Sequence, residues 1–226
     1  MIAFARAGAP TSTLPVLSFD AGGELTSLLT TLGIPFTNIN PNVGVPSASN
    51  FNISLYSAIV VASDTSCGGC DNNATSSTNL AGASSAIANF FNAGGGIATF
   101  AAASNSHYFD FLPVTASVPG IITCSSCFSQ TAAGLAAGVS AVNGDFPHNF
   151  FSFPGTGGLS PLFVAFETYT GPGPGRTLTN QPFTIGISGA RIDDGGFTGG
   201  TVPEPASMLL LGTGLVGLAA WRRFKQ

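Results

Sequence analysis

Charge is what this chain has least of. Only 7% of its 226 residues are Asp, Glu, Lys or Arg, and residues 1–200 hold nine acidic side chains against three arginines, Arg6, Arg176 and Arg191. Nucleic-acid binding needs a basic surface that displaces phosphate counterions, so that class of partner is excluded. Histidine is as scarce: His107 and His148 are the only two, which leaves little material for acid–base catalysis or a histidine-rich metal site. The first twenty residues contain one basic side chain, Arg6, and no apolar run of seven or more, so they lack the pattern of a secretory signal. Polarity must come instead from the hydroxyls and amides of Ser, Thr and Asn, which together with abundant glycine suit an exported surface. About two hundred residues remain ahead of the tail, enough for one well-buried domain.

The tail, Thr201 to Gln226, supplies what the rest withholds. Pro203-Glu204-Pro205 is followed by an uncharged stretch from Ala206 to Trp221 and then by Arg222, Arg223 and Lys225. Sixteen helical residues reach about 24 Å against about 30 Å of bilayer hydrocarbon, a short span. Trp221 stands where an interfacial aromatic would, and the basic cluster would hold the C-terminus in the cytoplasm. Gly212 to Gly217 matches G-x-G-x-x-G, but a dinucleotide site needs a preceding strand, a following helix and an acidic residue about twenty positions on, and only nine residues of this sequence follow Gly217. Small residues at that spacing suit helix packing in a membrane.

The order of triplet, apolar segment and basic cluster resembles the PEP-CTERM sorting signal of Gram-negative envelope proteins. The resemblance implies an inner-membrane-anchored precursor processed by an exosortase, with the mature protein reaching the cell surface or extracellular matrix. It also implies an association with exopolysaccharide, biofilm or surface proteins. With export implied and no signal at Met1, the expectation is that the true start lies upstream. The domains expected are an exported domain over residues 1–194, a flexible linker over 195–202 and the sorting signal over 203–226, with a transmembrane helix at 206–221.

Residues 14–114 carry the most regular pattern. Leu14–Phe19 reads as a strand; Leu25, Leu28, Leu29 and Leu32 then fall at helical spacing before Gly33. Further strands are predicted at Pro35–Ile39, Tyr56–Ala62 and Ile97–Phe100, with a helix over Thr78–Asn92 whose inner side is Leu80, Ala83, Ile87, Phe90 and Phe91. Strand–helix alternation with short connections predicts an α/β fold, a three-layer, doubly wound and mainly parallel sheet. Y-S-A-I-V-V-A-S at 56–63, F-F-N-A-G-G-G-I-A-T-F at 90–100 and Y-F-D-F-L-P at 108–113 resemble the class I glutamine-amidotransferase-like domains. That family places a nucleophilic Cys after the strand that follows the glycines. Here the turn reads Ala101-Ala102-Ala103-Ser104-Asn105, so the amidase chemistry does not carry over. A serine hydrolase built on Ser104, with His107 or His148 as base, is the competing reading; small flanking residues are the nucleophile-elbow feature that raises it. At the loop ends of the sheet, Asp64, Asp71, Ser104, Asn105 and His107 are placed to line a site.

All four cysteines stand in two C-x-x-C pairs, Cys67–Cys70 and Cys124–Cys127. Structural disulfides, a shared zinc and redox catalysis are the three readings. Export favours the first, and the separation of the pairs is far beyond a zinc ribbon's. Local pairing competes with cross-linking between the loops. Beyond residue 119, Leu162–Thr168 and Phe183–Ile187 have strand character and would complete the sheet edge or form a hairpin. Asp193 and Asp194 lack the alternation of a calcium loop. No cofactor or metal is expected. The favoured reading is a non-enzymatic, exported domain that binds a ligand, glycan or protein at the loop end of its sheet.

Overall fold

Short apolar strands alternating with helices do build a parallel sheet in the first hundred residues. The computed structural model describes residues 1–64, 72–100, 105, 107–114, 116–117, 124, 126–139, 150–151, 162–173, 175–193 and 196–199. In chain order its elements are α1 (Ile2–Ala7), β1 (Val16–Phe19), α2 (Glu24–Thr31), β2 (Phe36–Ile39), β3 (Ala58–Val61), α3 (Ala74–Gly82), α4 (Ser84–Asn92), β4 (Gly96–Thr99), β5 (Ala116–Ser117), β6 (Phe128–Gln130), α5 (Ala132–Ala136), β7 (Phe150–Phe151), β8 (Val164–Gly173), β9 (Arg176–Gly186), β10 (Ala190–Asp193) and β11 (Gly196–Gly199).

Strands β1 to β4 form one four-stranded sheet in the order β2-β1-β3-β4, every neighbour parallel. The side-chain period of two divides its residues between two cores. Leu17, Phe19, Ile59 and Val61 meet Leu80, Ile87 and Phe90 of α3 and α4 on one face. Val16, Ala58 and Val60 meet Ile2 and Ala5 of α1 and Leu25 and Leu29 of α2 on the other. The result is a mixed α/β structure with helices on both faces of a parallel sheet.

Local chemistry adjusts the expected elements. The single helix read over 78–92 is two, broken at Ala83 (φ −100°, ψ 6°). It starts earlier because Asn73 caps it: Asn73 Oδ1 accepts from the Thr75 and Ser76 N–H groups, and Ser76 Oγ accepts from the Asn73 N–H. Of the leucine stripe on α2 only Leu25 and Leu29 are buried; Leu28 is 44% and Leu32 57% exposed, so the apolar face is one residue column wide. The Gly94-Gly95-Gly96 triplet does more than end α4. Gly94 takes φ +99°, and a Cβ on Gly96 would stand 1.8 Å from the Ala5 carbonyl oxygen, so Gly96 lets α1 lie directly on β4.

The rest of the chain is antiparallel. The regions read at 162–168 and 183–187 are the hairpin β8–β9, which joins β6 in a three-stranded sheet separate from the parallel one. Helix α5, in an alanine- and glycine-rich stretch, is capped by Thr131, whose Oγ1 accepts from the Gly134 N–H at 3.0 Å and donates to the Ala165 carbonyl at 2.7 Å. Strands β10 and β11 pair antiparallel, so Gly196–Gly199, inside the stretch read as linker, is strand. The Asn92 side chain ties this hairpin to α4 by donating to the Ile192 carbonyl and accepting from its N–H, both at 2.8 Å. The helix expected at 206–221 lies outside the described residues; among those described, no helix is long and apolar enough to cross a membrane.

Because the α1–β4 contact has no room for a methyl group, Gly96→Ala is expected to destabilise the fold by about 1–3 kcal/mol or more. Gly8→Ala, where nothing lies within 4 Å, should stay within about 0.5 kcal/mol. Denaturant midpoints of the two variants check the contrast.

Candidate functional site

Open α/β sheets bind ligands beyond the carboxyl ends of their strands, often at a helix N-terminus. Here the chain fills that position itself. Asp20, at the end of β1, is 2% exposed. Its Oδ1 accepts from the Gly22 and Gly23 N–H groups at 2.9 and 2.7 Å, and its Oδ2 from the Thr26 N–H at 2.8 Å. The carboxylate thus sits where a phosphate would bind against α2, neutralising its positive end. Asn72, fully buried, closes the gap between β1 and β3: Nδ2 donates to the Phe19 carbonyl at 3.0 Å and lies 3.4 Å from that of Ala62, while Oδ1 accepts from the Ala21 N–H at 3.1 Å. Asn38 donates to the Asp20 carbonyl and brings in β2. Neither Asp20 nor Asn72 was singled out from sequence, although Asp-Ala-Gly-Gly between strand and helix is the kind of pattern that signals a self-capped turn.

The expected site residues separate. Asn105 and His107 come together beside α3 in a shallow groove of about 390 Å³, lined also by Ala74, Ser77, Thr78, Ala81 and Asp110. Asn105 Nδ2 donates to Ser77 Oγ at 3.2 Å, and Asn105 Oδ1 accepts from the His107 N–H at 3.0 Å. His107 Nδ1 lies 3.0 Å from Asp110 Oδ2, with the two side chains 81% and 51% exposed. In water such a pair orients an imidazole without desolvating it. Asp64 does not reach the groove: it is 5% exposed and its backbone forms an isolated bridge with Asn72. Asp71, Ser104, His148, Cys67, Cys70, Pro203, Glu204 and Pro205 lie outside the described residues.

Cys124 and Cys127 are bonded to each other, with Cα atoms 5.5 Å apart, so no thiolate is free for a metal at that pair. The bridge packs with Phe183 against Phe128, Phe150, Tyr169 and Leu178. Burial raises the Tyr169 hydroxyl above the ordinary phenol value, and the protonated form donates to the Pro172 carbonyl at 2.8 Å. Among the described residues no group of three or more His, Cys, Asp or Glu could hold a metal ion.

A second space was not foreseen. Between β4 and the β8–β9 hairpin lies a cavity of about 710 Å³, within the size range of small-molecule sites. Its wall is mostly apolar, with Phe4, Phe91, Phe109, Phe151, Phe163, Phe166 and Phe183 contributing, and it includes Thr99, Glu167 and Thr184. The Thr184 hydroxyl donates to Glu167 Oε2. Thr99 Oγ1 is buried and has no hydrogen-bond partner.

Set beside known families, the chain is similar at residues 201–223 to the PEP-CTERM protein-sorting motif. The match takes in Pro203, Glu204, Pro205 and the apolar segment, about a tenth of the chain, and supports export with processing by an exosortase-type enzyme. No curated protein and no solved structure matches the chain.

If Asp20 and Asn72 hold the strand ends as described, Asp20→Ala and Asn72→Ala should each cost about 1–3 kcal/mol by stranding buried donors and acceptors. Conversely, inorganic phosphate should not raise the melting temperature of the unaltered protein. Chemical denaturation of the variants tests the first statement, and thermal denaturation of the unaltered protein with and without phosphate tests the second.

Proposed function

For a chain that carries a PEP-CTERM sorting motif, we propose an exported, exosortase-processed protein whose α/β domain is a binding module rather than an enzyme. It holds neutral, hydroxyl-rich glycan or a glycosylated neighbour at the surface or in the extracellular matrix, in keeping with a link to exopolysaccharide and biofilm. The observation that carries the binding site is the groove in which Ser77, Asn105, His107 and Asp110 meet. It offers hydroxyl, amide, imidazole and carboxylate groups at an open, shallow surface, the chemistry that matches sugar hydroxyls. An acidic surface, nine carboxylates against three arginines over residues 1–200, disfavours anionic polysaccharide.

Two further observations favour binding over catalysis. The helix N-terminus that would stabilise a developing anion is occupied by Asp20. The His107–Asp110 pair is exposed to solvent, where a general base gains little from its partner. The sheet order β2-β1-β3-β4 supports the doubly wound, amidotransferase-like reading of residues 14–114 without the nucleophilic cysteine. The serine-hydrolase reading rests on Ser104 with His107 or His148.

On this reading, titration with neutral exopolysaccharide fragments saturates, and His107→Ala and Asp110→Ala each weaken affinity by about five- to thirtyfold, the worth of one or two hydrogen bonds. A fluorophosphonate probe should leave the protein unlabelled. Labelling lost in Ser104→Ala would establish the hydrolase instead. Mass spectrometry of the secreted protein should find it without the apolar tail, and Glu204→Ala should leave the tail attached.

A further inference from the structure

We propose that the β10–β11 hairpin is a clasp that withholds the sorting motif from the exosortase-type enzyme, so that its opening sets the pace of processing. The proposal rests on the reading of the tail as an exosortase substrate and adds what regulates that step.

The chain leaves the folded domain close to the motif. Strand β11 ends at Gly199, and the matched motif begins at Thr201. Glu204 stands five residues beyond Gly199, a reach of about 18 Å even at full extension. A small protein domain is about 30 Å across. An enzyme that encloses Pro203-Glu204-Pro205 therefore meets the hairpin and α4 before it can close on the motif. Melting the hairpin moves the last fixed point back to Gly189, fifteen residues from Glu204, and lengthens the reach to about 50 Å.

The hairpin is made to open alone. Its two strands form a sheet of their own, joined to no other strand among the described residues. Each strand has four residues, and β11 is Gly-Phe-Thr-Gly. Glycines weaken a strand, and a two-stranded hairpin standing alone is marginal. What keeps it closed is its seat on α4. Strand β10 packs on that helix, and Asn92, the last residue of α4, donates from Nδ2 to the Ile192 carbonyl and accepts at Oδ1 from the Ile192 N–H, both at 2.8 Å. One amide thus meets both backbone groups of a single residue, as a neighbouring antiparallel strand would. Beyond the backbone ladder, the strands are joined by the Thr198 hydroxyl, which donates to Asp193 Oδ2 at 2.6 Å on the exposed side. Cleavage of a segment that opens and recloses rapidly follows the population of the open form, so the Asn92 contact governs how often the motif is presented.

The test is pulse–chase of the full chain in cells that co-express an exosortase-type enzyme, with loss of the tail followed by mass spectrometry. Asn92→Ala removes both bonds to Ile192 and is expected to speed tail loss at least about fivefold. Inserting fifteen Gly and Ser residues between Gly200 and Thr201 adds about 20 Å of average reach without touching the hairpin, and should speed it as much or more. In that lengthened chain Asn92→Ala should change the rate less than about twofold, a result that general loss of stability does not reproduce. Far-ultraviolet circular dichroism checks that each variant is folded. Equal rates in the unaltered, Asn92→Ala and lengthened chains overturn the clasp while leaving the processing reading intact. Slower tail loss in the variants, the mark of an enzyme that docks on the closed hairpin, overturns it as well. No tail loss in any of the chains overturns the processing reading and the clasp with it.

Discussion

Strands β1 and β3 are buried along their whole length on both faces, and the structure depends on how their ends are closed. At the amino ends, Arg6 reaches from α1 to donate to Ser57 Oγ and the Leu14 carbonyl, both at 3.1 Å. At the carboxyl ends Asn72, Asp20 and Asn38 take the same role. A chain with so few charges must close buried backbone with amides and hydroxyls, because an unmet backbone group in the interior costs as much as a lost hydrogen bond. The polar side chains at the centre of the sheet are therefore structural. Asn105, His107 and Asp110 lie at its periphery, with His107 and Asp110 open to solvent.

The second half of the chain solves a different problem. With β4 at the edge of the parallel sheet, aromatic side chains from several elements line the space beside it. Phe4 on α1 meets Phe166 edge-on at 5.2 Å between ring centroids, while Phe183 lies tilted against Phe128 with centroids 5.0 Å apart. Bulges in the β8–β9 pairing beside Glu167 supply the aim of these rings, and the Cys124–Cys127 bridge fixes the turn that leads into β6. Aromatics thus act as both packing and cavity wall, which lets a domain low in charge hold an apolar space next to a buried carboxylate.

How much of this was legible follows from the range of the interactions involved. The four parallel strands and their helices were readable because Tyr56–Ala62 and its neighbours are apolar runs whose period declares their burial. The break at Ala83 was not, since Leu80, Ala83, Ile87 and Phe90 keep one helical stripe across two helices. Helix α1 and the role of Gly96 were hidden because the reason for that glycine is the Ala5 carbonyl, about ninety residues away. Asn105 and His107, read from their position after a strand, stand together beside α3, whereas Asp64, read on the same logic, bridges to Asn72 away from that groove. Glu167 looked like any strand residue, because a bulge is a property of two strands in register and neither reveals it alone.

The account rests on the claim that Asp20 and Asn72 are fixed parts of the fold, not groups waiting for a ligand. Amide hydrogen exchange measures this directly through the N–H groups of Ala21, Gly22, Gly23 and Thr26, which those side chains accept. The account predicts protection approaching that of the β3 amides, with exchange only by global unfolding. Exchange at the rate of exposed turn amides in the ligand-free protein would contradict it.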